Sequence, residues 1–216
     1  MSVSDRWSVV AMVIVVALSV ALWRELGADD PGSSPPDTVS ARDRRDADTP
    51  EALAGPRARA DLEPCPVPGS GPGPEPLLGI VLECAGNGSE VDVAPALAGR
   101  PAVLNLWAYW CGPCADELPA MAEYQRRVGP EVTVLTVHQD ENETAALLRL
   151  AELGVRLPTL QDGRRSIAAA LRVPNVMPAT VVLRADGSVA EILPRSFATA
   201  DEIAEAVNSK IGVGGN

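Results

Sequence analysis

Trp107-Ala108-Tyr109-Trp110-Cys111-Gly112-Pro113-Cys114 is the stretch on which the reading of this chain turns. The residues leading into it, Val103-Leu104-Asn105-Leu106-Trp107, are mostly apolar over a strand's length and predict a buried strand. The residues after it, Ala115 to Tyr124, predict a helix. Two cysteines therefore stand where a strand gives way to a helix, with Cys111 near the helix N-terminus. Unpaired backbone N–H groups and the positive end of the helix dipole favour a thiolate there. Cys114, one turn further in, can close a disulfide with Cys111 and is the better shielded of the two. Gly112 lets the backbone pass without a side chain, and Pro113 suits a first helical turn because it needs no N–H partner. Two cysteines at this spacing also suit half of a zinc site, which needs a second pair of ligands. The chain offers one histidine, His138, and two other cysteines. A redox dithiol is the stronger reading, and no metal site is expected.

Outward from this stretch, composition divides the chain. Its 216 residues suit one domain of ordinary size with extensions. Eleven of the 20 prolines fall between Pro31 and Pro76. The net charge of −11 leaves no basic stripe to meet phosphates, so nucleic acid is not an expected partner. Trp7 to Trp23 is a run of seventeen residues without a charge, roughly 25 Å long as a helix and slightly short of a ~30 Å hydrocarbon core. Tryptophans flank it, Arg6 precedes it, and Glu25, Asp29 and Asp30 follow, a bias that places the N-terminus in the cytoplasm and the rest outside. The expected organisation is a head and single-pass anchor over 1–26, a Pro/Gly-rich linker over 27–76 and a folded domain over 77–216. A cleaved signal peptide is the rival reading of the first segment, since Ser19-Val20-Ala21 is a passable cleavage site. In that case the protein is secreted.

Leu77 to Val93 predicts a hairpin turning at Ala85-Gly86-Asn87-Gly88. Cys65 and Cys84 bracket its first strand, and outside the cytoplasm such a pair is expected to form a structural disulfide. Val132 to Val137 predicts a second buried strand and Thr144 to Leu153 an amphipathic helix. A hairpin over Ala179–Leu193 and a closing helix over Thr199–Ile211 complete the order. That order implies an α/β fold, a central mixed sheet with helices on both faces. Glu117, one turn beyond Cys114, is placed to modulate the thiols and accept a proton from Cys114. A helix-dipole acid of no further consequence is the plainer reading of the same residue. His138 follows a strand and is given no role.

W-C-G-P-C at 110–114, E-L-P at 117–119 and V-M-P-A-T at 176–180 together resemble the thioredoxin superfamily, in its membrane-anchored, extracytoplasmic TlpA/ResA-like branch. The resemblance runs from about Leu77 to Ile211 and implies the thioredoxin-like three-layer fold. It implies a thiol–disulfide oxidoreductase with Cys111 and Cys114 as its redox-active disulfide, Glu117 in the active site, and no cofactor. Pro178 would be the superfamily's cis-proline, with Met177 offering its backbone to a substrate chain and Trp110 shielding the site. Cytoplasmic thioredoxins carry a buried acid six residues before the first cysteine; Asn105 stands there and cannot carry a proton, which shifts the proton work to Glu117. The implied partners are cysteine-containing protein substrates and a membrane thiol protein that donates or accepts electrons. Gly112-Pro113 resembles the reducing members, for example in cytochrome c maturation. A disulfide-forming role is the runner-up. A thiol peroxidase and a copper-delivery protein on the same fold are weaker, the first because Leu104 and Ala108 replace the proline and threonine it needs.

Overall fold

The computed structural model describes residues 48–71 and 73–212. The expected anchor over 1–26 and the first part of the expected linker lie outside the described residues. Among the described residues no helix is long and apolar enough to cross a membrane.

In chain order the elements are α1 (Pro50–Ala60), β1 (Val81–Cys84), β2 (Glu90–Asp92), α2 (Val93–Ala96), β3 (Ala102–Trp107), α3 (Gly112–Val128), β4 (Thr133–His138), α4 (Glu143–Leu153), β5 (Thr159–Gln161), α5 (Ser166–Ala170), β6 (Ala179–Leu183), β7 (Val189–Leu193) and α6 (Ala200–Ile211). Seven strands form one sheet in the order β2-β1-β5-β4-β3-β6-β7. The strands β3, β4 and β5 run parallel, whereas β6 runs antiparallel to β3. The mixed sheet expected from the element order is the one that forms.

Every residue of β3 is buried, because helices cover both faces of the sheet beside it. Alternation along the strand sends Val103 and Trp107 to the face packed by α3, α4 and α6. Ala102, Leu104 and Leu106 face α2 and α5 on the other side. Asn105 shares the first face and is the one polar residue of a strand otherwise given to the core. On α6, Ala200, Ile203 and Val207 recur at helical spacing and are buried, which seats that helix beside α3.

The folded part begins earlier than the expected boundary at Leu77. Thr49 caps α1 by accepting the Ala52 N–H, and Pro50 takes the first helical position, where its missing donor costs nothing. Leu53 and Ala60 of this helix are buried against Ala85 and Leu147. The Asp48 carboxylate accepts the Glu143 and Thr144 N–H groups at 3.2 and 3.1 Å, satisfying donors at the start of α4. Arg57 bridges Glu83 and Glu143, and its Nε donates to the Ala85 carbonyl at 3.1 Å. The Glu63 and Gly69 amides bond to the carbonyls of Arg156 and Pro95. The prolines and glycines here punctuate a docked extension rather than a solvated linker. Its partners lie 26 to 96 residues away in sequence, beyond the reach of local composition. The first hairpin strand also starts later than expected, at Val81, because Glu75–Leu77 forms a 3-10 turn that buries Leu77.

Candidate active site

The helix α3 starts at Gly112 with Cys111 as its N-cap. The Cys111 sulfur accepts the Cys114 N–H at 3.3 Å, and the Cys111 N–H donates to the Ala108 carbonyl at 3.0 Å. A sulfur thus occupies the place where a serine or aspartate oxygen usually receives the first free amides of a helix. Cys111 and Cys114 are joined in a disulfide. The little exposure the pair has belongs to Cys111, at 6%, against 0% for Cys114. Trp110 beside it is 57% exposed, a large apolar surface at the rim of the site.

Glu117 lies one turn beyond Cys114 on the same helix, a spacing at which side chains are neighbours. It is fully buried. Its Oε2 accepts from Asn105 Nδ2 at 2.7 Å and its Oε1 accepts the Phe197 N–H at 3.1 Å. Burial pushes its pKa from 4.5 up to about 7, outweighing the two hydrogen bonds and the nearby Arg195 charge that pull it down. The Arg195 guanidinium lies 4.1 Å from the centre of the Phe197 ring, over the segment that holds the carboxylate. Among the described residues Asn105 Oδ1 has no hydrogen-bond partner.

Sheet register brings the remaining residues to the same end of the molecule. The pairing of Leu106 with Ala179 sets the start of β6 beside the end of β3, where the dithiol turn begins. Met177 and Pro178 immediately precede it, and the bond between them is cis. Pro178 is buried, and Met177 packs against the core cluster that contains both Cys111 and Cys114. Cys65 and Cys84 form a second disulfide. It sits on β1, separated from β3 by β5 and β4, so the two disulfides occupy different regions. Among the described residues no group of three or more His, Cys, Asp or Glu side chains is placed to hold a metal ion.

Sequence reasoning missed three participants. Asn105 holds Glu117 instead of merely lacking a proton; a lone polar residue in a buried strand was the available signal. Phe197 is 80 residues from Glu117 and contributes only its backbone, so no sequence signal marks it. His138 lies buried against Trp107 and Tyr109, where the sequence showed only a histidine at a strand end.

The Redoxin family profile matches residues 67–207 of the chain. The chain belongs to the Redoxin family. Its fold is thioredoxin-like, and among named relatives it is similar to ResA. The thiol-disulfide oxidoreductase ResA of Bacillus subtilis is 29% identical over 108 residues, which are 50% of this chain and 59% of ResA. The Redoxin thus spans about three fifths of the length of that relative. The structure of DsbF from Mycobacterium tuberculosis matches with a TM-score of 0.56 at 25% identity, covering 62% of this chain and 97% of DsbF. A secreted M. tuberculosis disulfide oxidoreductase homologous to E. coli DsbE matches at 0.54 and 27%, covering 62% and 98%.

Proposed function

We propose that this Redoxin exchanges disulfides with cysteines of other proteins through Cys111 and Cys114, outside the cytoplasm and as a reductant. The observation that carries the reading is the disulfide closed at the N-cap of α3, one turn from a buried carboxyl whose pKa is about 7. In the reduced protein the Cys111 thiolate attacks one sulfur of a substrate disulfide. A mixed disulfide forms and the first substrate thiolate leaves. Cys114 then passes its proton to the Glu117 carboxylate and attacks the Cys111 sulfur. The second substrate thiolate leaves, and the Cys111–Cys114 disulfide remains. Two electrons have moved to the substrate, and a partner thiol protein restores the dithiol. Met177 offers its backbone to the substrate chain beside Pro178, and the exposed Trp110 supplies apolar contact at the rim.

The neighbour described as a secreted DsbE homologue supports an extracytoplasmic setting. The uncharged run from Trp7 to Trp23 serves as the anchor in this reading. The reductant role follows from Gly112-Pro113 between the cysteines and from the ResA likeness. In that role an apocytochrome disulfide is the substrate and a membrane thiol protein the electron donor. A midpoint potential decides the direction. Equilibrated with a thiol redox buffer, the Cys111–Cys114 pair should titrate in the reducing range, near the about −270 mV of thioredoxin. A value near the about −120 mV of a strong oxidant would overturn the reductant role and make the protein a disulfide donor.

A further inference from the structure

Beneath the dithiol turn lies a histidine that no step above uses. His138 ends β4, is fully buried, and pairs in register with Trp107 on β3 and Gln161 on β5. Its ring centre lies 5.0 Å from that of Trp107 and 6.0 Å from that of Tyr109. Its polar contacts form a chain whose two ends have fixed directions. At one end the Tyr109 backbone N–H faces Nε2 at 3.4 Å. A backbone N–H only donates, so Nε2 must keep its lone pair. At the other end Gln161 Nε2 lies 2.6 Å from the Asp140 carbonyl oxygen, which only accepts. The amide oxygen of Gln161 therefore turns to the histidine, 2.8 Å from Nδ1, and Nδ1 must carry the proton. The tautomer is set from both ends. Asp140 also accepts the Trp110 indole N–H at 3.0 Å through Oδ2 and the Asn142 N–H at 2.9 Å through Oδ1. The two residues directly before Cys111 are thus tied to one network, Tyr109 by its backbone and Trp110 by its side chain.

We propose that His138 is a positioning residue for Cys111: as the neutral Nδ1–H tautomer it holds the Tyr109–Trp110 turn, and a proton on Nε2 releases it. An imidazolium would set its Nε2–H against the Tyr109 N–H, donor against donor. Burial favours the neutral ring and lowers its pKa from 6.5, outweighing the Gln161 hydrogen bond and the charges of Asp140 and Asp48. Among the described residues the Tyr109 phenol ring also lies beside the imidazole, and the Arg149 Nε–H donates to the Tyr109 carbonyl at 3.3 Å. The turn therefore stays fastened at neutral pH and loosens as the medium becomes acidic. This inference rests on Cys111 being the attacking thiol.

Two measurements on the full chain test it. Nitrogen–proton correlation spectra of the imidazole at neutral pH should show the proton on Nδ1 and a bare Nε2; the opposite tautomer overturns the proposal. The second is the rate of Cys111 alkylation by iodoacetamide across pH once the Cys111–Cys114 disulfide has been reduced. His138→Asn keeps a donor towards Gln161 but withdraws the acceptor from Tyr109, and should slow alkylation roughly two- to tenfold, the worth of one hydrogen bond. In His138→Gln the amide oxygen reaches the place of Nε2; it should restore most of the rate and leave only the acid decline that protonation of the Cys111 thiolate itself produces. Equal behaviour of the two variants, or no effect of His138→Asn, overturns the proposal while leaving the dithiol chemistry standing. A Cys111 inert in the unaltered protein, with the Nδ1–H tautomer present, overturns the reading of Cys111 as attacking thiol and this role of His138 with it.

Discussion

Glu117→Gln should slow reduction of insulin disulfides by on the order of 100-fold near pH 8, the lower end of what positioned proton transfer supplies. At the same pH it should make the folded protein more stable. Both effects come from one buried carboxyl. When Cys114 must become a thiolate, a carboxylate one turn away is the nearest group on the helix to take the proton, and it is free to do so above about pH 7. The glutamine has no site for that proton, so the limb of the pH–rate profile near 7 should vanish. Stability moves the other way. The folded protein holds the Glu117 proton up to about pH 7, whereas an unfolded chain releases it around 4.5. The native state therefore binds more protons between these values. Its stability is greatest below them and falls as pH rises through the window, by roughly 3 kcal/mol for a shift of this size. Glu143 is also raised to about 7 by burial and contributes a slope of the same sign. The difference between variant and unaltered protein isolates Glu117. The glutamine fits the site, since its Oε1 can still accept the Phe197 N–H while Asn105 turns its unpartnered Oδ1 to face the new amide. Urea unfolding from pH 4 to 8 should show the slope reduced. An unchanged pH–rate profile would reduce Glu117 to an acid in a helix.

Joint replacement of Cys65 and Cys84 by alanine should cost about 3 kcal/mol of stability, as expected for a loop of this length. The disulfide fastens the extension to β1, and α1 contributes its own contacts through Leu53, Ala60 and Arg57. The extension should loosen first, and the domain should unfold at lower urea. Disulfide reductase activity should be largely retained, because β5 and β4 separate the outer pair from the strand that carries the dithiol. Loss of activity in a variant that remains folded would mean that the outer pair relays electrons.

What the sequence made legible was local. The strand–turn–helix around Cys111 follows from an apolar run, a Gly-Pro turn and a helical run within about twenty residues, and neighbouring segments repeat that logic around the sheet. The docked extension was not legible. A short helix over Pro50–Ala60 was legible by composition, but not that it buries two apolar residues against surfaces far along the chain. The electrostatics of the site were half legible. Glu117 stands at a telling distance from Cys114, but its pKa depends on burial, on Asn105 from another element and on the Phe197 backbone. His138 shows how register carries information that spacing does not. It becomes part of the site only because β4 runs parallel to β3 and ends level with Trp107.

Trapping tests the exchange chemistry most directly. Cys114→Ser leaves Cys111 able to attack a disulfide but without the thiol that resolves the product. Expressed as the full chain in its natural host, this variant should accumulate covalent complexes through Cys111 that dithiothreitol dissolves. Mass spectrometry of the trapped chains should find cysteine-containing exported proteins, apocytochrome or its maturation partners among them. Cys111→Ser should trap little, since the remaining thiol is fully buried. Complexes formed by Cys111→Ser, together with none from Cys114→Ser, would contradict the assignment of the attacking sulfur and the exchange mechanism built on it.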